Sequence, residues 1–364
     1  MARFLDVFSD ETKNGRKIQA SDYLPNGRYP IIDQGQHQIA GYTDIEDGVF
    51  CDVPAIIFGD HTRAIKYIET PFFLGADGVK VLKSKLDDIS YKYLFYCLEN
   101  VKIPDTGYNR HFKWLKEAEF PLPSLEEQQK IAAVLDKVSD LIAKRRQQLE
   151  KLDLLVKARF VEMFGDPVSN PKQWETKGLA ELGECKNGMN FHTEDSGIDI
   201  HCLGVGDFKD LSYITDTSML PMISLDKMPS NEYLLQNGDI VFVRSNGNKD
   251  LVGRSIAVFP DQVPTTFSGF CIRFRLKSSV VQTDYLLRAL KTDSVRKKMA
   301  GRGANIQNLN QKILSDLQMP IPPLNLQNQF STFVEQIEKT KISIKKSLEN
   351  METLKKALMQ KYFG

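Results

Sequence analysis

Four polar clusters, two in each half of the chain, hold the side chains best able to make paired hydrogen bonds. In the first half, Gly59-Asp60-His61-Thr62-Arg63-Ala64-Ile65-Lys66 follows an apolar run ending at Phe58, and Tyr108, Asn109, Arg110, His111 and Lys113 follow Gly107. In the second half, Arg244, Ser245, Asn246, Asn248 and Lys249 follow a run ending at Val243, with Arg254 a little further on. Arg302, Asn305, Gln307, Asn308 and Asn310 make up the fourth cluster. Arg, Lys, Asn and Gln can pair with guanine or adenine edges in the major groove, while Ser, Thr and main-chain amides hold phosphates. Taken singly, each Asn or Gly shapes a turn and each Arg or Lys is solvated. Taken as four clusters in matching places, they point to binding.

Other chemistry is missing. The one Pro-Pro pair, Pro322-Pro323, lies between Ile321 and Leu324 rather than in the Asn/Asp-Pro-Pro-Tyr/Phe setting of an adenine methyltransferase. The segment from Gly247 to Ser255 approaches a phosphate-binding loop, but it is one residue too long and has Arg254 where Lys is needed. His192, His201, Cys185 and Cys202 match no zinc spacing. No catalytic or metal-ligating residue is therefore assigned. The five cysteines never form C-x-x-C and read as reduced thiols. An N-terminus that reaches acidic residues early, and apolar runs short of a membrane span, lead us to expect a cytoplasmic protein. With a formal net charge of +1, any positive field must be local or shared with other subunits.

The elements that position the clusters are repeated. Residues 1–120 alternate short apolar runs with Gly, Pro, Asn and Asp, and predict strands at 30–33, 48–50, 55–58, 64–68 and 78–82. A helix over 90–99 is expected to turn Tyr93, Leu94 and Cys97 inward. Residues 166–318 follow the same plan: the run 238–244 stands where 54–60 stood, 268–274 echoes 76–81, and Asp284-Tyr285 echoes Lys92-Tyr93. This predicts two similar, mostly β domains of α+β class.

Between and after them run two long helices, expected over 121–165 and 319–364. Pro320 stands 199 positions after Pro121, and Phe363 stands 199 after Phe164, so the repeat keeps one register throughout. Heptad steps in the first copy select Ile131, Leu135, Val138, Ile142, Leu149, Leu152 and Val156, broken by Arg145 and Arg159. In the second they select Phe330, Val334, Ile337, Ile344, Leu348, Met351 and Leu358, broken by Lys341 and Lys355. Helices of this length would span about 60 Å and need a partner of matching length. Ser124 with Glu127 forms a capping box, Gly165 and Pro167 form a stop, and Asn325 is the expected cap of the second helix. A surface helix or a homodimer zipper would suit either helix alone. Two copies in one chain favour pairing within the chain, with exchange between two chains the alternative.

The lead-in Phe120-Pro-Leu-Pro-Ser-Leu-Glu-Glu-Gln-Gln-Lys-Ile131, the exit Met163-Phe-Gly-Asp-Pro167 and the repeat they create resemble the DNA-specificity subunit of type I restriction-modification systems. The Gly59-Asp-His-Thr-Arg63 segment is similar to that family's target-recognition domains. The resemblance spans essentially the whole chain. It implies two target-recognition domains held apart by an antiparallel coiled coil, each reading one half of an asymmetric, split site in double-stranded DNA. It also implies docking of two methyltransferase subunits and of restriction/translocase subunits, with no membrane role. Cofactors would belong to the assembly, S-adenosylmethionine for modification and ATP with Mg2+ for restriction; none is expected on this chain. Exposed Arg146, Lys151, Lys157, Lys345, Lys346 and Lys356 are candidates to meet partners or phosphates, although a charged helix flank is usually just solvated. A non-catalytic scaffold or decoy subunit shares every one of these features, and a methyltransferase with fused recognition domains is the less favoured rival.

Overall fold

The computed structural model describes every residue apart from 76, 108, 192–195, 209–210 and 301–307, and apart from the side chains of Lys249 and Ala300. The chain divides into two compact units. The first comprises Met1–Gln147 with Ile344–Gly364, and the second comprises Gln148–Ser343. Each therefore contains one β-rich domain and a length of both long helices, which run over Leu125–Phe164 and Leu324–Phe363.

In the first unit the strands Phe8–Asp10, Val79–Ser84, Ala55–Gly59 and Ile65–Ile68 form an antiparallel sheet in that order. A second sheet places Tyr29–Ile32 between Gly41–Thr43 and, in parallel, Phe73–Leu74. The second unit repeats the plan. Its larger sheet runs Gly183–Asn187, Cys271–Leu276, Asp239–Val243, Ser255–Val258, with Tyr213–Ile214 added in parallel at the edge. Its smaller sheet places Ile198–Leu203 between Met222–Leu225 and, again in parallel, Thr265–Phe267. A two-stranded ribbon closes each domain where it meets the first turn of a long helix, Ala2–Arg3 with Glu119–Phe120 and Thr176–Gly178 with Gln318–Pro320. The expected strand at 48–50 is absent: only Phe50 bridges to Phe72, because Gly48 turns the chain with φ 84°.

A pair of buried side chains ties each domain to its helix in the same way twice. Tyr93 donates its hydroxyl to the Pro121 carbonyl, and Tyr285 donates to that of Pro320, both at 2.8 Å. Gln128, buried in the first turn, donates to the Pro123 carbonyl and accepts from the Ser90 amide. Gln327 does the same with Pro322, Val280 and the Gln282 amide. A buried polar side chain is tolerated only when its bonds are made, so each Gln acts as a fitted joint.

Within each unit the two helix segments run antiparallel. In the first, Ile131 and Leu135 share a core with Met359 and Leu358, and Arg146 pairs with Glu352 at 2.6 Å. In the second, Phe160 and Phe164 pack on Phe330 and Tyr285, with ring centroids 4.8–5.6 Å apart. Val138, Ile142, Val156, Val334 and Ile337 are buried, while Leu149, Leu152, Ile344, Leu348 and Met351 are half-buried. Lys341, a basic break in the seam, is buried and paired with Asp153 at 2.9 Å and Glu338 at 3.1 Å.

Two details of the long helices also depart from the sequence reading. At the end of the first helix the buried stripe passes from Val156 to Phe160 and Phe164, leaving Arg159 outside and paired with Glu162. A helix with 3.6 residues per turn drifts off a seven-residue repeat, and here it docks on a globular core. The second helix also begins before Asn325, with the Pro323 carbonyl accepting from Leu326 and Gln327. Pro323 matches Ser124, whose Oγ accepts from the Glu127 amide at 3.4 Å, so the start keeps strict register.

Candidate nucleic-acid interface

In both units the structure brings the paired clusters together at one main-chain junction. The amide of the residue leaving the central strand donates across the sheet, from Asp60 to the Gly78 carbonyl (2.7 Å) and from Arg244 to that of Phe270 (2.8 Å). Its carbonyl accepts from the later cluster, His111 to Asp60 and Leu309 to Arg244, both at 2.8 Å. The backbone solution is the same in each. What hangs from it differs.

In the first unit the junction is filled by buried polar groups. The Asp60 carboxylate accepts from the Phe112 amide at 2.8 Å, and His111 Nδ1 lies 3.0 Å from the Asp60 carbonyl. Lys66 is buried, donating to the Asp33 carbonyl at 2.8 Å and pairing with its carboxylate at 3.3 Å; burial pushes its ammonium below the usual lysine range. Asp60, His111 and Lys66 thus build the loop from inside rather than face a duplex. Thr62 is half-buried and hydrogen-bonded to the Gln34 carbonyl. Arg63, with φ 61°, pairs with Asp105 at 2.9 Å; that carboxyl is held low by the Gly107 amide and then by Arg63. His61 Nδ1 lies 3.2 Å from the Asn109 carbonyl, which links the two clusters at the surface. Asn109, Arg110 and Lys113 are exposed, and Lys113 lies over the Trp114 ring. Tyr108 lies outside the described residues.

In the second unit the described residues of the junction are less buried. Arg244 donates to the Gly269 carbonyl at 3.3 Å and remains half-exposed, beside half-exposed Ser245 and Asn246 and exposed Asn248. Ser245 bridges to Asn308, which is exposed. Asn246 and Asn248 accept from amides two residues on, at 2.8 and 3.0 Å, and so also shape the turn. Asn310 caps the helix Gln311–Ser315 through the Ile313 amide at 2.9 Å. Arg254 lies at the base of the hairpin, its carbonyl accepting from the Val243 amide, and lines a cavity with Ser255, Lys291 and Arg296. Arg302, Asn305, Gln307 and the side chain of Lys249 are outside what is described.

Two residues at the junctions carried no sequence signal. Gln34 accepts from the His61 amide at 3.2 Å and donates to the Asp77 carbonyl at 3.0 Å, presenting the exposed run Gln36-His37-Gln38 beside the first loop. Phe270 is 61% exposed next to Arg244. Its counterpart is Gly78, where φ is 92° and an added Cβ would meet the Gln34 side chain at 2.6 Å. An aromatic ring therefore stands in one junction where the other requires no side chain.

The family model described as type I restriction modification DNA specificity domain matches residues 3–152 and 171–352, well over half of the chain. The chain belongs to the type I DNA specificity family. It is 28% identical over 259 residues to the StySPI specificity subunit of Salmonella potsdam, covering 66% of this chain and 55% of that protein, so the match spans little more than half of that relative's length. It is 25% identical over 320 residues to the MjaVIII specificity subunit of Methanocaldococcus jannaschii, covering 79% and 74%. In fold it is similar to the specificity subunit from M. genitalium, with TM-score 0.58 and 16% identity over 98% of this chain and 94% of that one. A chain from a structure described as addressing complex assembly and conformational transition of a type I system matches with TM-score 0.54, 16% identity, and 99% and 95% coverage. The family's two specificity domains coincide here with the two repeats, each carrying its own loops on a common framework.

Proposed function

We propose that this chain is the non-catalytic, sequence-reading subunit of a type I restriction-modification assembly in the cytoplasm. Each domain reads one half of a split, asymmetric site in double-stranded DNA, and the paired helices set the unread interval and receive the methyltransferase subunits. The observation that carries this is the junction built twice with one backbone pattern and two unlike sets of side chains, Gln34 and Asn109–Arg110 in one, Arg244 and Phe270 in the other. A repeated scaffold with divergent tips supports two different half-sites. Chemistry, with S-adenosylmethionine for modification and ATP and Mg2+ for restriction, belongs to the methyltransferase and restriction/translocase partners. With near-neutral charge on this chain, affinity is a property of the assembly.

The test is single-molecule sequencing of adenine methylation in cells carrying this chain with its methyltransferase partner, beside cells lacking it. A split motif that appears only with this chain is expected. An active methyltransferase that leaves no split motif would overturn the reading.

A further inference from the structure

In the first unit the chain between the strands Tyr29–Ile32 and Gly41–Thr43 makes a hairpin whose tip, Gln36-His37-Gln38, is exposed. Its root is built into the loop that follows the strand Ala55–Gly59. Buried Lys66 donates to the Asp33 carbonyl at 2.8 Å and pairs with the Asp33 carboxylate at 3.3 Å, and that carboxylate also accepts from the Gly35 amide at 2.8 Å. Gln34 is held three times: its carbonyl accepts from Thr62, and its side chain accepts from the His61 amide at 3.2 Å and donates to the Asp77 carbonyl at 3.0 Å. Gly75 lies against the same root, where an added Cβ would come within 2.5 Å of the Asp33 Cβ. Beyond the tip, Gln38 donates to the Tyr67 carbonyl at 2.9 Å. The later cluster reaches this corner too, since Arg110 acts on Asp77 and the Asn109 carbonyl lies 3.2 Å from His61 Nδ1.

A buried lysine is tolerated only when its bonds are made, and those of Lys66 go to the root of an exposed hairpin. A loop ordered before it meets a ligand loses little conformational freedom on binding. Its polar neighbours are already engaged, Arg63 with Asp105 and Asn109 with the Thr106 carbonyl, whereas the Gln36 side chain makes no hydrogen bond among the described residues. Gln36 and Arg63 border one groove of about 750 Å³. The two carboxylates lining that groove, Glu99 and Glu352, are paired with Lys355 at 3.1 Å and Arg146 at 2.6 Å, so the wall tolerates a polyanion. A carboxamide offers a donor and an acceptor side by side, which matches the N6 and N7 edge of adenine in the major groove. We propose that Gln36 is a specificity-determining residue that reads an adenine in the half-site of the first domain, with Lys66, Asp33 and Gln34 as positioning residues. This assignment rests on the sequence-reading function proposed above, and adds to it a residue and a base. In the second unit the matching strand, Ile198–Leu203, leads instead into the turn Val205–Asp207 and buried Phe208. The hairpin tip is thus a further respect in which the two domains differ.

The experiment is sequencing of adenine methylation in cells carrying the full chain with its methyltransferase partner, comparing the wild type with Gln36→Ala, Gln36→Glu, His37→Ala and Lys66→Met. In Gln36→Ala, discrimination at one A·T position of one half-site is expected to fall roughly tenfold, with the other half-site intact and the melting temperature of the purified chain unchanged. Gln36→Glu should move that position from adenine toward cytosine, because a carboxylate only accepts and suits the cytosine amino group. A side chain that merely supported the fold would not exchange one base for another. His37→Ala, on the same tip but outside the groove lining, should keep the identity of that position. Lys66→Met should lower the melting temperature and relax the same position as Gln36→Ala; methylation that falls evenly with the motif unchanged would overturn its positioning role. A wild-type split motif left unchanged by both Gln36 variants, or weakened evenly by them, overturns the proposal and leaves the sequence-reading function standing. No split motif in the wild type, with the methyltransferase active, overturns that function and this assignment with it.

Discussion

The two loop junctions are alike in backbone and opposite in construction. In the first, the residue leaving the strand is Asp60, buried and hydrogen-bonded to the opposing cluster, so the loop is held together by its own polar side chains. In the second, the same position is Arg244, half-exposed, and the fit is made by main-chain bonds to Phe270 and Leu309. The comparison teaches that the framework specifies where main-chain groups meet, leaving the side chain at that position free either to build the loop or to face a ligand.

The strongest way to break this comparison is to exchange the roles. Asp60→Ala removes the acceptor for the Phe112 amide in a buried setting, and should lower stability by about 2 kcal/mol and loosen reading of the first half-site through loss of loop order. Arg244→Ala should change stability by less than about 1 kcal/mol yet relax the second half-site. Thermal unfolding and methylation-motif sequencing of both variants decide it. Equal stability losses would mean that Arg244 is as structural as Asp60. Next in size are the joints: Gln128→Ala and Gln327→Ala each strand a buried amide and carbonyl groups, and each should cost about 1–3 kcal/mol. Similar losses in denaturant unfolding are expected, with Gln327→Ala the larger, because the two joints share two bonds and Gln327 adds one to the Val280 carbonyl.

The repeat, the long helices and the pairing of clusters were legible because each leaves a pattern that outlasts local detail: a constant offset, an apolar period, a grouping of polar types. The burial of Lys66 leaves no such pattern, since a lysine after a turn reads as an exposed group free to meet a ligand. Yet strand alternation puts it on the face of Ile68, which is buried. Residue type favours Asn325 as the cap, whereas register with Ser124 points to Pro323. The shift from Arg159 to Phe160 and Phe164 is written in two aromatics four apart, a 3.6-residue spacing that departs from the heptad at the helix end. Phe270 and Gln34 were not readable, since a lone Phe or Gln reports nothing about the loop it borders.

A pH series sharpens the contrast in buried cations. Lys291 titrates near 7 in the native chain because of burial, but near the ordinary lysine value of about 10.4 when unfolded. Between those values the unfolded chain binds the extra proton, so stability rises with pH through that window, and the contribution is absent below it. Lys291→Met, measured by denaturant unfolding in phosphate-free buffer, should flatten that rise and stabilise the chain at neutral pH. A slope unchanged by the substitution would show that the ammonium is better solvated than its surroundings indicate.

The smallest expected effect tests the helix starts. Ser124 accepts from the Glu127 amide at 3.4 Å, a long and exposed bond, while Pro323 has no side-chain acceptor to offer in the same register. Ser124→Ala should therefore cost about 0.5–1 kcal/mol. Ser124→Pro should cost no more than this, because proline already occupies the equivalent position and the Ser124 carbonyl, which accepts from Gln128 at 2.9 Å, is retained. If Ser124→Pro is instead several-fold more damaging than Ser124→Ala, the two starts are alike in register only, and Gln327 must hold the second lead-in in a way that Gln128 does not hold the first.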